Sequence, residues 1–391
     1  MDPNKPQIKK IINTSNIDKF SLTPTNRPVP VFEKEKTLAE KFMDLRGFTG
    51  KNLNDINFSN FSTEDLETCS FDTQTVWPNK LPDSIKPKDI IEKGKNPGLG
   101  IRELHERGIT GKGVNVAIID QKLLTDHEEY KDNLVFYEEN KSMENIRPEF
   151  HGVAMSSLLI GKNCGVAPGS KLHYFAAENR QGVGNYLENS RLALEKIISK
   201  NETLPKREKV RLVSISTALL QRQDKGQNLE EEKIMKESIM RAENAGINVI
   251  FMGHIKETDG DFYFGKVGNN TEDKNDTDCY EIDLYSKETG EEPTTEQKER
   301  NVYIPTEYRT KASFTGKNEY CYSGKGGGSS AAPYLVGVMA LALQINPDLK
   351  KKEILEKIKL TSVTNKAGLR IINPKGLIEL LEAEKGQKQT K

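Results

Sequence analysis

Only one tryptophan and four cysteines occur in the 391 residues, and 58 Lys and Arg are cancelled by 58 Asp and Glu. A zero balance leaves no net field for nucleic acid or an anionic bilayer, so neither is expected as a partner. Cys69, Cys164, Cys279 and Cys321 are scattered without a C-x-x-C pair. That argues against a zinc site and a disulfide scaffold, and fits reduced thiols in a cytoplasm. Long apolar runs are also missing. The opening "MDPNKPQIKKIINTSNIDKF" has no apolar core of signal-peptide length, and "YLVGVMALALQI" (334–345) reads as too short for a bilayer span. A cytoplasmic chain is the expectation.

Residues 1–95 are polar and rich in Pro, Asn and Lys, and they end at the turn-rich "GKNPGLG". They read as an N-terminal extension, either regulatory or packed on the core. Within it Leu53 and Phe58, and then Phe61, Leu66, Phe71 and Val76, recur every five residues, each after Asn, Asp, Ser or Thr. So few repeats cannot bury a continuous core alone, so the pattern is either a chance period or a set of anchors on the main domain.

From residue 109 the pattern changes. "VNVAIID", "KLHYFAA", "VRLVSIS" and "INVIFMG" are short apolar runs that predict buried strands. "HGVAMSSLLIG", "NYLENSRLALEKIIS", "EEEKIMKESIMRAENAG" and "SSAAPYLVGVMALALQI" predict helices between and after them. This alternation predicts an α/β fold, a mainly parallel, doubly wound sheet with helices on both faces. The main domain is drawn at 96–385, interrupted by a hydrophilic insertion at 256–300 that reads as a surface loop. Two C-terminal amphipathic helices follow, and 386–391 reads as a frayed tail.

Three polar residues fall where such a sheet presents its functional edge. Asp120 ends a strand, His151 opens a helix, and Ser329 opens another behind Gly326, Gly327 and Gly328, with Pro333 close by. A serine at a helix N-terminus has unpaired N–H groups and the positive dipole end beside it, which favours a developing oxyanion. Glycines there allow close main-chain approach.

In order and context these residues resemble the subtilisin-like serine peptidase family over roughly 109–345, and more weakly on to 375. "GITGKGVNVAIID" is similar to the family's lead-in to its aspartate, "HG" at 151–152 to its histidine motif, and "GGSSAAPYLVGVMAL" to its nucleophile motif. "GVAPGSKL" is similar to the strand entry that follows the histidine helix. The resemblance implies peptide or protein substrates and an Asp120–His151–Ser329 triad that needs no cofactor. Gly182, Val183 and Gly184 match the substrate-edge strand, while Ser216, Thr217, Ala218, Met252 and Gly253 match the pocket walls. Calcium is common in the family, yet "EDKNDTDCYEID" lacks the Gly and Glu spacing of a calcium loop and reads as a solvated acidic face.

Departures from the motif are as informative. Gln121 and Lys122 stand where Ser/Thr and Gly normally follow the aspartate, and His254 stands where the oxyanion asparagine belongs. Phe251 and Met252 replace two alanines, which predicts a narrowed first specificity pocket. Two functions therefore stay open: a peptidase with an altered oxyanion hole, or a silent module that binds peptide along the 182–186 edge. A further expectation is that the extension covers the cleft as an inhibitory segment. His105, His127 and His173 read as structural, and Cys164 as buried and inert.

Overall fold

The computed structural model describes residues 52–54, 57–139, 147–178, 186–216, 227–252 and 262–389. The first part carries α1 (Thr63–Glu67), β1 (Ser70–Asp72), α2 (Pro87–Gly94) and α3 (Ile101–Glu106). Next come β2 (Asn115–Gln121), β3 (Leu134–Glu139), α4 (Phe150–Ile160), β4 (Lys171–Glu178), α5 (Tyr186–Thr203), β5 (Val210–Ile215), α6 (Gln227–Asn244) and β6 (Asn248–Phe251). The third part has β7 (Phe264–Gly268), β8 (Glu281–Ile282), α7 (Leu284–Thr289), α8 (Thr295–Arg300), β9 (Val302–Pro305), β10 (Arg309–Ala312) and β11 (Tyr320–Ser323). The chain closes with α9 (Ala331–Ile345), α10 (Lys351–Thr361), β12 (Val363–Thr364), β13 (Arg370–Ile371) and α11 (Pro374–Gln389).

The four predicted strands are β2, β4, β5 and β6, and with β3 they form a parallel sheet in the order β3-β4-β2-β5-β6. Both faces are covered, and the period of two shows why. Val116 and Ile118 join the core that includes α4 and α9, while Ala117 and Ile119 join the one that includes α5 and α6. Asp120 continues the even-numbered row, so its side chain projects to the α4 and α9 side. The pairing of β2 with β4 slips between Asp120 and Gln121, a bulge at the strand end of the kind that re-aims side chains beside active sites.

The described part of the insertion differs from the expected loop. β7 pairs parallel with β9 and antiparallel with β8, and Phe262, Val267, Tyr280 and Leu284 are buried. Four well-spaced apolar residues suffice to seat a segment whose composition is otherwise polar. The tail differs too: α11 continues through Gln389 instead of stopping near 385. The apolar run Gly328–Ile345 is long enough by composition to pass for a membrane span, contrary to the sequence reading, but 78% of it is buried inside the fold. It is a core helix.

The extension is woven into this unit from residue 52 onward. β1 pairs antiparallel with β11, giving a three-stranded sheet β1-β11-β10. Leu53, Phe58, Leu66 and Phe71, four of the period-five residues, are buried in one cluster with Tyr308, Tyr320 and Tyr322, whereas Val76 is exposed. The "GKNPGLG" boundary is a left-handed turn, with positive φ at Gly98, Leu99 and Gly100.

Candidate active site

Asp120 is fully buried at the end of β2. Its Oδ1 accepts from the Gln121 backbone N–H at 2.7 Å and lies 2.7 Å from His151 Nδ1. Its Oδ2 is buried and has no partner among the described residues.

Gln121 does something else. His151 stands in the first turn of α4, whose N-cap Glu149 supplies no side-chain cap bond. The Gln121 Oε1 accepts the His151 backbone N–H at 3.1 Å instead, filling one of the orphan donors of the helix start. The Gln121 carbonyl in turn accepts from the Tyr174 hydroxyl. A Cβ on Gly152 would collide with both that hydroxyl and that carbonyl, so the glycine of the His-Gly pair is demanded by packing. The imidazole is thus held by its ring, through Asp120, and by its backbone, through Gln121. Nothing in the sequence pattern signals the second contact.

Ser329 lies in a 3₁₀ turn, Gly328–Ser330, that leads into α9, so the helix begins two residues later than expected. Ser329 is half-buried and Ser330 only 2% exposed. Of the adjacent serines, Ser329 is the accessible one. α4 packs against this turn, which brings the elements carrying His151 and Ser329 together. Gly326 is required by close approach, since a Cβ would overlap the Thr306 carbonyl, whereas at Gly328 it would meet only Met252 Cε at 3.5 Å. Met252 follows β6, bonded through its N–H to the Ile215 carbonyl at 3.1 Å, and its side chain lies beside the Gly328–Ser330 turn. Ser216, at the end of β5, is buried with its hydroxyl 3.5 Å from that of Ser214. Gly182, Val183, Gly184, Thr217, Ala218, Gly253 and His254 lie outside the described residues.

A family model described as the subtilase family matches residues 111–377. The chain belongs to the subtilase family. The match covers the stretch from the lead-in of the aspartate strand to α11, so fold and serine peptidase class follow from it together. Among solved structures, this subtilase is similar to the prenylagaramide maturation protease PagA, with 14% identity over 72% of this chain and 98% of that one, and a TM-score of 0.47. No curated protein matches the subtilase by sequence.

The described histidines besides His151 are His105, His127 and His173. His127 is fully buried, with Nε2 2.9 Å from the Glu319 carbonyl, and burial lowers its pKa. His105 Nε2 lies 2.8 Å from the Val166 carbonyl. His173 differs from a satisfied core imidazole: its Nδ1 has no partner among the described residues, and burial pushes its pKa down to about 4. Cys164 is fully buried and its thiol pKa is driven up by desolvation, as an inert thiol requires. Lys122, 1% exposed, pairs with Glu139 at 3.0 Å.

Proposed function

We propose that this subtilase is a serine endopeptidase in which Ser329 attacks the peptide carbonyl and His151 takes its proton, later returning it to the leaving amine. Asp120 holds the imidazole tautomer and stabilises its cation. The observation that carries the reading is the 2.7 Å contact between the buried Asp120 Oδ1 and His151 Nδ1. With Nδ1–H committed to the carboxylate, Nε2 is the nitrogen left as base.

The developing oxyanion is received by the Ser329 N–H together with His254, a titratable ring in place of a fixed amide. Loss of such a donor in a subtilisin costs about 10²–10³ in turnover, and a ring N–H restores part of this. The proposal is therefore a slow, selective peptidase. Substrate lies along Gly182, Val183 and Gly184 and between Ser216, Thr217, Ala218, Met252 and Gly253, and a first pocket narrowed by Met252 admits small side chains. The reaction needs no cofactor, and the proposed setting is the cytoplasm, with 96–385 as the peptidase unit.

A silent peptide-binding module is favoured by one observation, the unpartnered Oδ2 of Asp120. A fluorophosphonate probe separates the two readings. Labelling of Ser329 in the unmodified chain, abolished in Ser329→Ala, supports the peptidase. Absence of labelling under all conditions, with peptide binding retained in Ser329→Ala, supports the module.

A further inference from the structure

Two basic runs far apart in the sequence, "KREKVR" at 206–211 and "KKK" at 350–352, meet in the fold. Residues of both line a cleft of about 600 Å³, walled by the connections from α5 to β5, from α6 to β6 and from α9 to α10. Val210 lines it at the start of β5 and Asn248 at the start of β6. These strands run parallel to β2, so the cleft lies at the edge of the sheet opposite the one where Asp120 ends β2. The serine peptidase chemistry does not use it.

Its charge is one-sided. Lys206, Lys209, Arg211, Lys350, Lys351 and Lys352, six cations, line it against two carboxylates, Glu243 and Asp348, an excess of four positive charges in a chain whose total is zero. Lys351 is paired with Glu243 at 2.6 Å and Lys206 with Asp348 at 3.4 Å. Lys209, Arg211 and Lys350 have no carboxylate partner among the described residues, and Arg211 is steadied by donating from Nη1 to the Pro347 carbonyl at 2.7 Å. The eleven-residue α10 starts in the cleft and adds the positive end of its dipole. Asn248, 7% exposed, caps that start: its Oδ1 accepts the Lys351 N–H at 3.1 Å, while its Nδ2 is buried with no partner among the described residues. A buried donor without an acceptor is costly, and an oxygen-rich anion seated on Asn248 removes that cost. Among the described residues no aromatic side chain lines the cleft, so a base would have nothing to stack on.

We propose that this cleft binds a short phosphate chain, recognised by its phosphates alone, with Lys209, Arg211 and Lys350 on the outer oxygens and Asn248 Nδ2 donating to an inner one. Lysine as a point charge and arginine as a planar fork are the usual partners of phosphate, and a helix start supplies backbone donors besides. The three cations sit on two separate connections, which suits a ligand of several linked anionic groups better than a lone carboxylate. A bound chain joins those connections to each other and stabilises the fold by mass action. The inference is independent of Ser329 as nucleophile, since the cleft and the triad stand at opposite edges of the sheet.

The test is calorimetric titration of the full chain with sodium triphosphate at neutral pH and ~0.1 M salt, set beside thermal melts. The expected Kd is ~100 μM or tighter, with a raised melting temperature at saturating ligand. The double variant Lys209→Ala, Lys350→Ala weakens binding at least ~10-fold. Asn248→Asp keeps the acceptor for the Lys351 N–H and exchanges the unpartnered donor for an anionic oxygen, so it holds the melting temperature and also weakens binding at least ~10-fold. Lys375→Ala removes a cation outside the cleft, paired with Glu103 at 2.8 Å, and leaves Kd within ~2-fold. No heat and no shift in melting temperature with triphosphate overturns the proposal. So does a Kd unchanged in the double lysine variant, or one weakened as much by Lys375→Ala. ATP serves as the second probe: a Kd within ~3-fold of triphosphate supports recognition of the phosphates alone, and one more than ~10-fold tighter overturns it. Where Asn248→Asp does not fold, the double variant decides, because Lys209 is half-buried and Lys350 exposed.

Discussion

Replacing Gln121 by alanine tests whether the residue after the aspartate positions the histidine. Gln121 is 3% exposed and its Oε1 is the acceptor for the His151 N–H at 3.1 Å. Truncation removes a buried neutral hydrogen bond and leaves one donor of the α4 start unsatisfied, a cost of about 1–3 kcal/mol. Water entering the vacated space recovers part of it, so about 1–2 kcal/mol is expected, close to the loss of a helix cap. In a chain of this size that lowers the melting temperature by roughly 1–4 °C. The effect on rate comes through geometry. With the His151 N–H released at the first turn of α4, the ring keeps its Asp120 contact but loses its backbone anchor, and a loss of ~1.4 kcal/mol in alignment is about tenfold in rate. The assay is the second-order rate of fluorophosphonate labelling, set beside a thermal melt, for Gln121→Ala and Gln121→Glu. The glutamate variant keeps an acceptor at the helix start and should retain most of the melting temperature. Labelling within twofold of the unmodified chain, with an unchanged melt, in Gln121→Ala would refute the reasoning.

Three other outcomes are expected. Gly152→Ala should destabilise by about 1–3 kcal/mol through overpacking, and Tyr174→Phe, by removing the hydroxyl that the new methyl strikes, should recover part of this in the double variant; additive effects in a thermal double-mutant cycle would contradict the contact. The Glu307 carboxyl ionises near pH 8 in the folded chain and near 4.5 unfolded, so between those values the native state holds the extra proton and stability falls as pH rises, then levels above 8. Lys274, lowered to about 7 by burial, acts oppositely above pH 7, so the Glu307 contribution is read from the difference between the unmodified chain and Glu307→Gln in denaturant melts, which should widen by a few kcal/mol, at ~1.4 kcal/mol per pH unit, from pH 5 to 8. Deleting residues 1–94 should yield an aggregated chain rather than a more active one, because it strips β1 from β11 and leaves a bare strand edge beside Tyr320 and Tyr322; a soluble truncated chain with faster labelling in size-exclusion fractions would overturn that.

The parallel sheet was legible because its strands are buried on both faces and read as continuous apolar runs, each followed by a helix-period segment. The positions of Asp120 at a strand end and His151 in a first helical turn were legible because strand ends and helix starts carry their own local signals, whereas the 3₁₀ turn that holds Ser329 ahead of its helix carries none. What escaped was contact at a distance. The Gln121 cap on His151 spans thirty residues, and its side chain differs in no local way from a solvated glutamine. The pairing of β1 with β11 escaped because three residues in a polar segment make no periodic signal, and the buried period-five anchors Leu53, Phe58, Leu66 and Phe71 are too few to declare a core. β7 escaped for a similar reason, since "FGKVG" mixes two glycines and a lysine into a strand whose seat is made by Tyr303 and Tyr308 on other segments.

The β1–β11 pairing also sets a timetable. Phe71 lies opposite Tyr322, about 250 residues later in the chain, and Gly324 N–H bonds the Cys69 carbonyl on the way to Ser329. A ribosome adding roughly 5–20 residues per second needs about 12–50 s between making the first partner and the second. During that interval the early segment waits without its mate, and the turn bearing Ser329 does not yet exist. Residues 70–72 are thus joined to a strand made about 250 residues later, and the turn that carries Ser329 is framed only after both have been synthesised.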